Sequence, residues 1–110
     1  MRIVNIKKDN PNVDYALFLI DEEITVETIN NIEDSNEMGL IYNFICQKKN
    51  ALAVLRYFKE IGITSIDRLL IYKLEIFLVD VEKIKKAFNE YDASVLVQLI
   101  NEDINAINFL

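Results

Sequence analysis

Apolar residues recur every three or four positions along most of this chain, which is the spacing of one face of an α-helix. Residues 38–47 and 64–73 fit this spacing in short segments. Longer apolar stripes occur in three segments, formed by Ala51, Val54, Leu55, Phe58 and Ile61, by Val81, Ile84, Ala87, Phe88 and Tyr91, and by Leu96, Ile100, Ile104 and Ile107. The pattern predicts an all-α protein.

Residues that begin and end helices stand at the borders of these segments. Gly62 follows one stripe at the position where a left-handed glycine commonly ends a helix. Thr64 and Asp67 have the spacing of a capping box, in which two side chains bond to the backbone of the first turn. The other predicted N-terminal caps are Thr25, Ser35 or Asn36, Asn50, Asp80, and Asp92 or Ser94.

Three segments have more than one interpretation. Residues 1–6 fit a short strand or an extended arm. Residues 13–20 are apolar on most faces, and a helix is favoured there because Asn12 can cap it. Residues 75–79 fit a tight turn or a short helix.

The composition favours helices as well. Two glycines and one proline in 110 residues are too few for the many turns of a β-sandwich or barrel. A chain of this length forms one domain. We therefore predict a single helical domain over residues 1–110, with five to seven helices arranged as a compact bundle or a short stack of helical hairpins.

The letters Leu-Ile-Tyr occur at residues 40–42 and again at residues 70–72. The same shift of thirty residues overlays Phe44 on Leu74, Val54 on Ile84 and Phe58 on Phe88. A period of this size is typical of stacked helical hairpins, whose apolar faces are covered by similar neighbours. The alternative is that any two amphipathic helices rich in leucine and isoleucine match at some shift.

The segment LRYFKEIGITSIDRLLIYKLEIFLVDVEKIKKAF, residues 55–88, resembles the helical repeats of mitochondrial transcription termination factors. The residues that carry the resemblance are the turn at 61–63 and the pair at 69–70, and the proline of the family pattern is missing near residues 73–75. The resemblance extends over residues 52–110 at most and implies nucleic-acid binding through a basic concave face. We therefore keep a nucleic-acid-binding helical repeat as the alternative function.

The charge of the chain argues against that alternative. Twelve basic residues are outnumbered by eighteen acidic ones, which gives a net charge of −6. Binding to a phosphate backbone depends on lysine and arginine. The lysines concentrate at residues 83–86 beside Glu82 and Glu90, which is typical of a polar helix face. The mean hydropathy of +0.14 indicates apolar surface beyond a filled core.

The sequence excludes several kinds of active site. It has no histidine and a single cysteine, Cys46, so the histidine-dependent triads and dyads and the common zinc sites cannot form. Its glycines, Gly39 and Gly62, form no phosphate-binding loop. We interpret the acidic clusters as solvated surface. We expect no enzyme activity, cofactor or metal.

The single cysteine also predicts a reducing compartment. No apolar run approaches the roughly 18 residues that cross a membrane, and the first residues lack a signal peptide. We expect a cytoplasmic protein without a membrane segment.

The predicted function is binding of a protein partner, as in inhibitors, immunity proteins, antitoxins or phage-borne inhibitors. A homodimer is a second form of the same hypothesis. Tyrosines beside the apolar stripes favour an interface, because a phenol can keep its hydroxyl in contact with water while its ring is covered. The alternative is that these rings only border the core. The candidate residues are Tyr42, Tyr57, Tyr72, Glu33, Asp34 and Glu37.

Overall fold

The computed structural model describes residues 13–109, and it describes the side chains of residues 17–108. It confirms the all-α class, since residues 13–109 contain no strand. The predictions for residues 1–6 and for the turn at 7–12 lie outside the described residues. The α-helices of residues 13–109 are α1 (Val13–Asp21), α2 (Val26–Ser35), α3 (Met38–Cys46), α4 (Lys48–Glu60), α5 (Ile66–Tyr72), α6 (Val81–Glu90) and α7 (Ala93–Glu102), and two 3₁₀ segments follow α5 and α7, at Leu74–Leu78 and Ile104–Phe109.

Four phenylalanines form the centre of the core. The ring of Phe58 lies 5.7 Å from that of Phe77 and 6.2 Å from that of Phe88, measured between centroids. Phe77 also meets the ring of Phe44 edge to face. All four side chains are fully buried. Helix α4 joins the two ends of the fold, because it packs against α3, α5, α6 and the first 3₁₀ segment.

Several predicted helix borders are confirmed. The side chains of Thr25, Asp80 and Asp92 accept hydrogen bonds from backbone N–H groups in the first turns of α2, α6 and α7. Gly62 follows the end of α4 with φ +97°, a conformation that only glycine adopts without strain. Residues 13–20 are helical, and residues 75–79 fall largely in the first 3₁₀ segment.

Other predicted borders are wrong, and each for the same physical reason. Asn36 donates its amide to carbonyl oxygens of Ile32 and Ile71 and does not cap α3. The Thr64 side chain does not cap α5, which follows Ser65. Asn50 does not cap α4, which begins at Lys48, because its side chain bonds to backbone groups between residues 77 and 81. In each case a hydrogen bond to a distant residue replaces the local motif that the sequence resembles.

The thirty-residue similarity has a structural counterpart in the second half of the chain. Helix, helix and 3₁₀ segment follow one another twice between residues 48 and 109, and α4 packs against α6. Val54 and Ile84 are both buried, as are Phe58 and Phe88. The first half is arranged differently, because α2 packs against α5 and α3 packs against the first 3₁₀ segment. The described residues therefore form a compact bundle.

Candidate interaction surface

An apolar surface lies along the outer face of α7. Val95 and Leu99, one helical turn apart, are 51% and 45% exposed, and Tyr91 just before the helix is 57% exposed. These residues, with Asp92 and Leu96, line a groove of about 320 Å³. Clustered exposed apolar side chains of this kind are typical of sites that a partner covers.

A second depression continues the groove beyond Leu99. It has a volume of about 270 Å³ and is lined by Leu99, Glu102, Asp103, Asn105 and Ala106. Because Leu99 lines both depressions, they form one surface, which we call the α7 groove. Helix α7, along which the groove runs, has ten residues from Ala93 to Glu102 and is therefore about 15 Å long at ~1.5 Å per residue.

The charged groups that line the α7 groove are all acidic. Asp92 lies at one end, and Glu102 and Asp103 lie at the other. A hydrogen bond from the Ser94 hydroxyl at 2.7 Å, with help from the backbone N–H of Val95, lowers the pKa of the Asp92 carboxyl below its usual value. Asp92 is therefore a carboxylate at neutral pH. The groove combines an apolar floor with negative ends.

The groove exists because α7 carries more apolar residues than its buried face needs. Leu96, Val97 and Ile100 are buried in the core. Val95 and Leu99 stand beside them in the sequence, so that they fall on the flank of the helix and face outward. Among the described elements, α6 and the second 3₁₀ segment pack most closely against α7, and they leave this flank exposed.

Sequence reasoning missed this surface. It assigned Tyr91 to the apolar stripe of α6, but that helix ends at Glu90 and Tyr91 is extended, with φ −112° and ψ 175°. The helical period no longer applies at Tyr91, and the side chain is exposed. The signal that was available is the surplus of apolar residues between 95 and 100, since one face of a helix cannot hold all of them.

The predicted acidic and tyrosine residues occupy several places. Glu33 and Asp34 lie at the end of α2, and Glu37 immediately precedes α3. The side-chain amide of Asn36, in the turn between α2 and α3, donates a hydrogen bond to the carbonyl oxygen of Ile71 at 3.0 Å. This contact brings the end of α5 to the turn, and the next residue, Tyr72, is exposed. We call the surface formed by Glu33, Asp34, Glu37 and Tyr72 the α2–α3 turn.

The other two tyrosines have different surroundings. Tyr42 is 62% exposed on α3, one turn from Met38, which is 63% exposed. Tyr57 is half-buried, and its ring lies 5.8 Å from that of Phe88 and 5.6 Å from the Lys85 ammonium nitrogen. Burial raises the pKa of the Tyr57 hydroxyl above its usual value, and the charge of Glu60 adds to the effect. Tyr57 thus packs between α4 and α6, whereas Tyr42 stands in solvent.

A cavity of about 230 Å³ lies between the loop that joins α1 to α2 and residues of α2, α4 and α5. Glu22 at its edge forms ion pairs with Arg56 at 3.0 Å and with Lys59 at 3.6 Å. Lys59 also donates to the backbone carbonyl of Glu22 at 2.7 Å. These contacts join the end of α1 to α4, so the charged groups Glu22 and Lys59 at the cavity have a structural role.

The pKa of Glu22 is lowered, chiefly by its hydrogen bond from Arg56, against the opposing effect of burial. A lowered folded-state pKa stabilises the protein above the unfolded pKa, near 4.5, and that stability is lost as the pH falls through the folded value. Glu22→Gln should therefore cost up to about 1 kcal/mol at pH 7. The difference from wild type should shrink as the pH falls below about 4.5.

Urea unfolding between pH 7 and pH 3 measures this difference. Glu75→Gln is the matched control, since Glu75 is exposed on the first 3₁₀ segment. A stability difference between wild type and Glu22→Gln that stays constant over the whole range would contradict the role of the Glu22 carboxylate.

Over the residues with described side chains, no group of three cysteine or acidic residues is placed to hold a metal ion. Among the helices of residues 13–109, none has the length and apolar character to cross a membrane.

Comparison with protein-family models, curated proteins and solved structures finds no match to the chain. The resemblance to transcription termination factors remains an observation on residues 52–110 of the sequence.

Proposed function

We propose that this protein is a small acidic interaction module of the cytoplasm that works by binding another protein and not by catalysis. The α7 groove is the observation that carries the proposal, because it leaves Tyr91, Val95 and Leu99 in contact with water. A partner that covers the groove removes this apolar surface from water, which favours association. Inhibitors such as immunity proteins and antitoxins act by occluding a partner in this way.

The charge supports the same proposal. A net charge of −6 attracts basic partners and raises the rate at which they are encountered. The α2–α3 turn, with Glu33, Asp34, Glu37 and Tyr72, is a second acidic surface on which such a partner can bind. The two surfaces make separate predictions, because they involve different helices.

Photo-crosslinking in cells of the source organism tests the proposal. A photoreactive amino acid is placed at position 99 in the α7 groove, at position 72 beside the α2–α3 turn, or at position 43 on α3. Asn43 is exposed and serves as the control position. We expect a discrete protein adduct from position 99, resistant to nuclease and lacking at position 43.

The pattern of adducts decides among the alternatives. An adduct from position 72 alone would keep the function and move the site to the α2–α3 turn. Adducts that nuclease destroys would favour the nucleic-acid-binding alternative. Equal adducts from all positions, or none at all, would contradict protein binding.

A further inference from the structure

We infer that the partner of the α7 groove is an amphipathic helix with basic residues at the borders of its apolar face. The inference rests on the proposed function and specifies the chemistry of the partner. The shape of the groove, its apolar floor and the sign of its charges each contribute to it.

The dimensions of the α7 groove suit a helix. A length of about 15 Å matches nearly three turns of an α-helix at ~5.4 Å per turn. The apolar side chains Val95 and Leu99 stand one turn apart, and the depressions on the two sides of Leu99 can each receive a side chain from the partner. Helix-in-groove recognition uses partner residues spaced in the same way, at every third and fourth position.

The charges select a basic helix. Asp92 lies at one end of the groove and Glu102 and Asp103 at the other, and the residues lining both depressions include no lysine or arginine. Lysine or arginine residues on the borders of the partner's apolar face would meet these carboxylates, while their aliphatic stems extend the apolar contact. An acidic helix of the same shape would be repelled.

A second copy of this chain fits the groove less well. Two α7 grooves brought face to face would place Asp92, Glu102 and Asp103 of each copy near the carboxylates of the other, as a symmetric interface is self-complementary. Two chains with a net charge of −6 each also repel one another. The charges therefore favour a basic partner of different sequence over self-association.

A synthetic peptide tests the inference directly. The probe is a 16-residue helix with leucines on one face and lysines elsewhere, carrying a fluorescent label, and its binding to the full chain is followed by fluorescence anisotropy. One control peptide has the same composition with the leucines dispersed around the helix. The other keeps the leucines and has glutamate in place of lysine. We expect the probe to bind at least about tenfold more tightly than either control.

Variants of the protein locate the binding site. Val95→Gln with Leu99→Gln should weaken binding of the probe by about tenfold or more, since it removes both apolar anchors from the floor. Met38→Gln with Tyr42→Gln is the matched control, because it changes two exposed apolar residues with the same spacing on α3. This control should change the dissociation constant by less than about twofold. Thermal unfolding by circular dichroism confirms that both variants are folded.

A third variant tests the role of charge without changing the floor. Asp92→Asn, Glu102→Gln and Asp103→Asn together keep the side-chain shapes, and asparagine retains the helix cap at position 92. We expect several-fold weaker binding and a smaller dependence on salt concentration.

Five results would overturn the inference. The control peptide with dispersed leucines could bind as tightly as the probe, or the two double variants could weaken binding equally. The triple variant without the three carboxylates could also bind the probe as tightly as wild type. A dimer of the free protein that Val95→Gln with Leu99→Gln dissociates would assign the groove to a second copy. If the probe fails while position 99 still yields its adduct in cells, the proposed function stands and the partner is not a basic helix.

Discussion

Replacing Phe58 with alanine should lower the free energy of unfolding by about 3–5 kcal/mol, the usual cost of removing a buried phenylalanine ring. The Phe58 side chain is fully buried on α4. Its ring contacts those of Tyr57, Phe77 and Phe88, which belong to three different elements of the fold. The cavity left by alanine would therefore loosen the packing of α4, α6 and the first 3₁₀ segment together.

Chemical unfolding in urea measures the effect, and the Tm should fall by more than about 10 °C. Tyr42→Ala is the control, because it also removes an aromatic ring but from a side chain exposed on α3. We expect it to change the free energy of unfolding by less than about 0.5 kcal/mol. Similar losses from both substitutions would contradict the position of Phe58 at the centre of the core.

Phe58 also shows which features of the fold can be predicted from the sequence. Its place in the stripe from Ala51 to Ile61 follows from helical period alone, and all of that stripe is buried or half-buried. The caps at Thr25, Asp80 and Asp92 could be predicted for a related reason, because they bond to backbone groups two or three residues away. Local geometry determines both kinds of feature.

The features that sequence reasoning missed depend on contacts between distant residues. Thr64 resembles a capping residue, but its backbone N–H donates to the side-chain oxygen of Asn101 at 2.8 Å. The amide of Asn101 donates to the carbonyl oxygen of Gly62 at 3.1 Å. No pattern in the sequence shows that residues 62–64 and 101 meet, since the meeting follows from how the loop between α4 and α5 lies against α7.

The candidate site also has one property that composition predicts and another that depends on how the helices pack. An acidic protein with surplus apolar surface could be predicted from composition, and that expectation led to the tyrosines at 42, 57 and 72. Which apolar residues remain exposed depends on which helix flanks have a neighbour. Leu96 and Leu99 belong to the same helix and are the same residue type, yet Leu96 is buried and Leu99 is 45% exposed.

Asn50 provides the second large expected effect. Its side chain lies in the first turn of α4, and its amide donates to the carbonyl oxygens of Phe77 at 3.2 Å and Val79 at 2.7 Å. Its side-chain oxygen accepts a hydrogen bond from the backbone N–H of Val81 at 3.1 Å. One side chain thereby supplies hydrogen-bond partners for backbone groups at the end of the first 3₁₀ segment and the start of α6, which lie 27 to 31 residues further along the chain.

Asn50→Ala removes all three hydrogen bonds, each with a net contribution of roughly 0.5–1.5 kcal/mol, so we expect a loss of about 2–3 kcal/mol in the free energy of unfolding. Asn43→Ala is the matched control on the exposed side of α3 and should change it by less than about 0.5 kcal/mol. Amide hydrogen exchange provides a local readout, because the N–H of Val81 should exchange faster in Asn50→Ala only. Unchanged exchange at Val81 together with wild-type stability would show that water replaces the Asn50 side chain without cost, and that α6 is positioned by apolar packing alone.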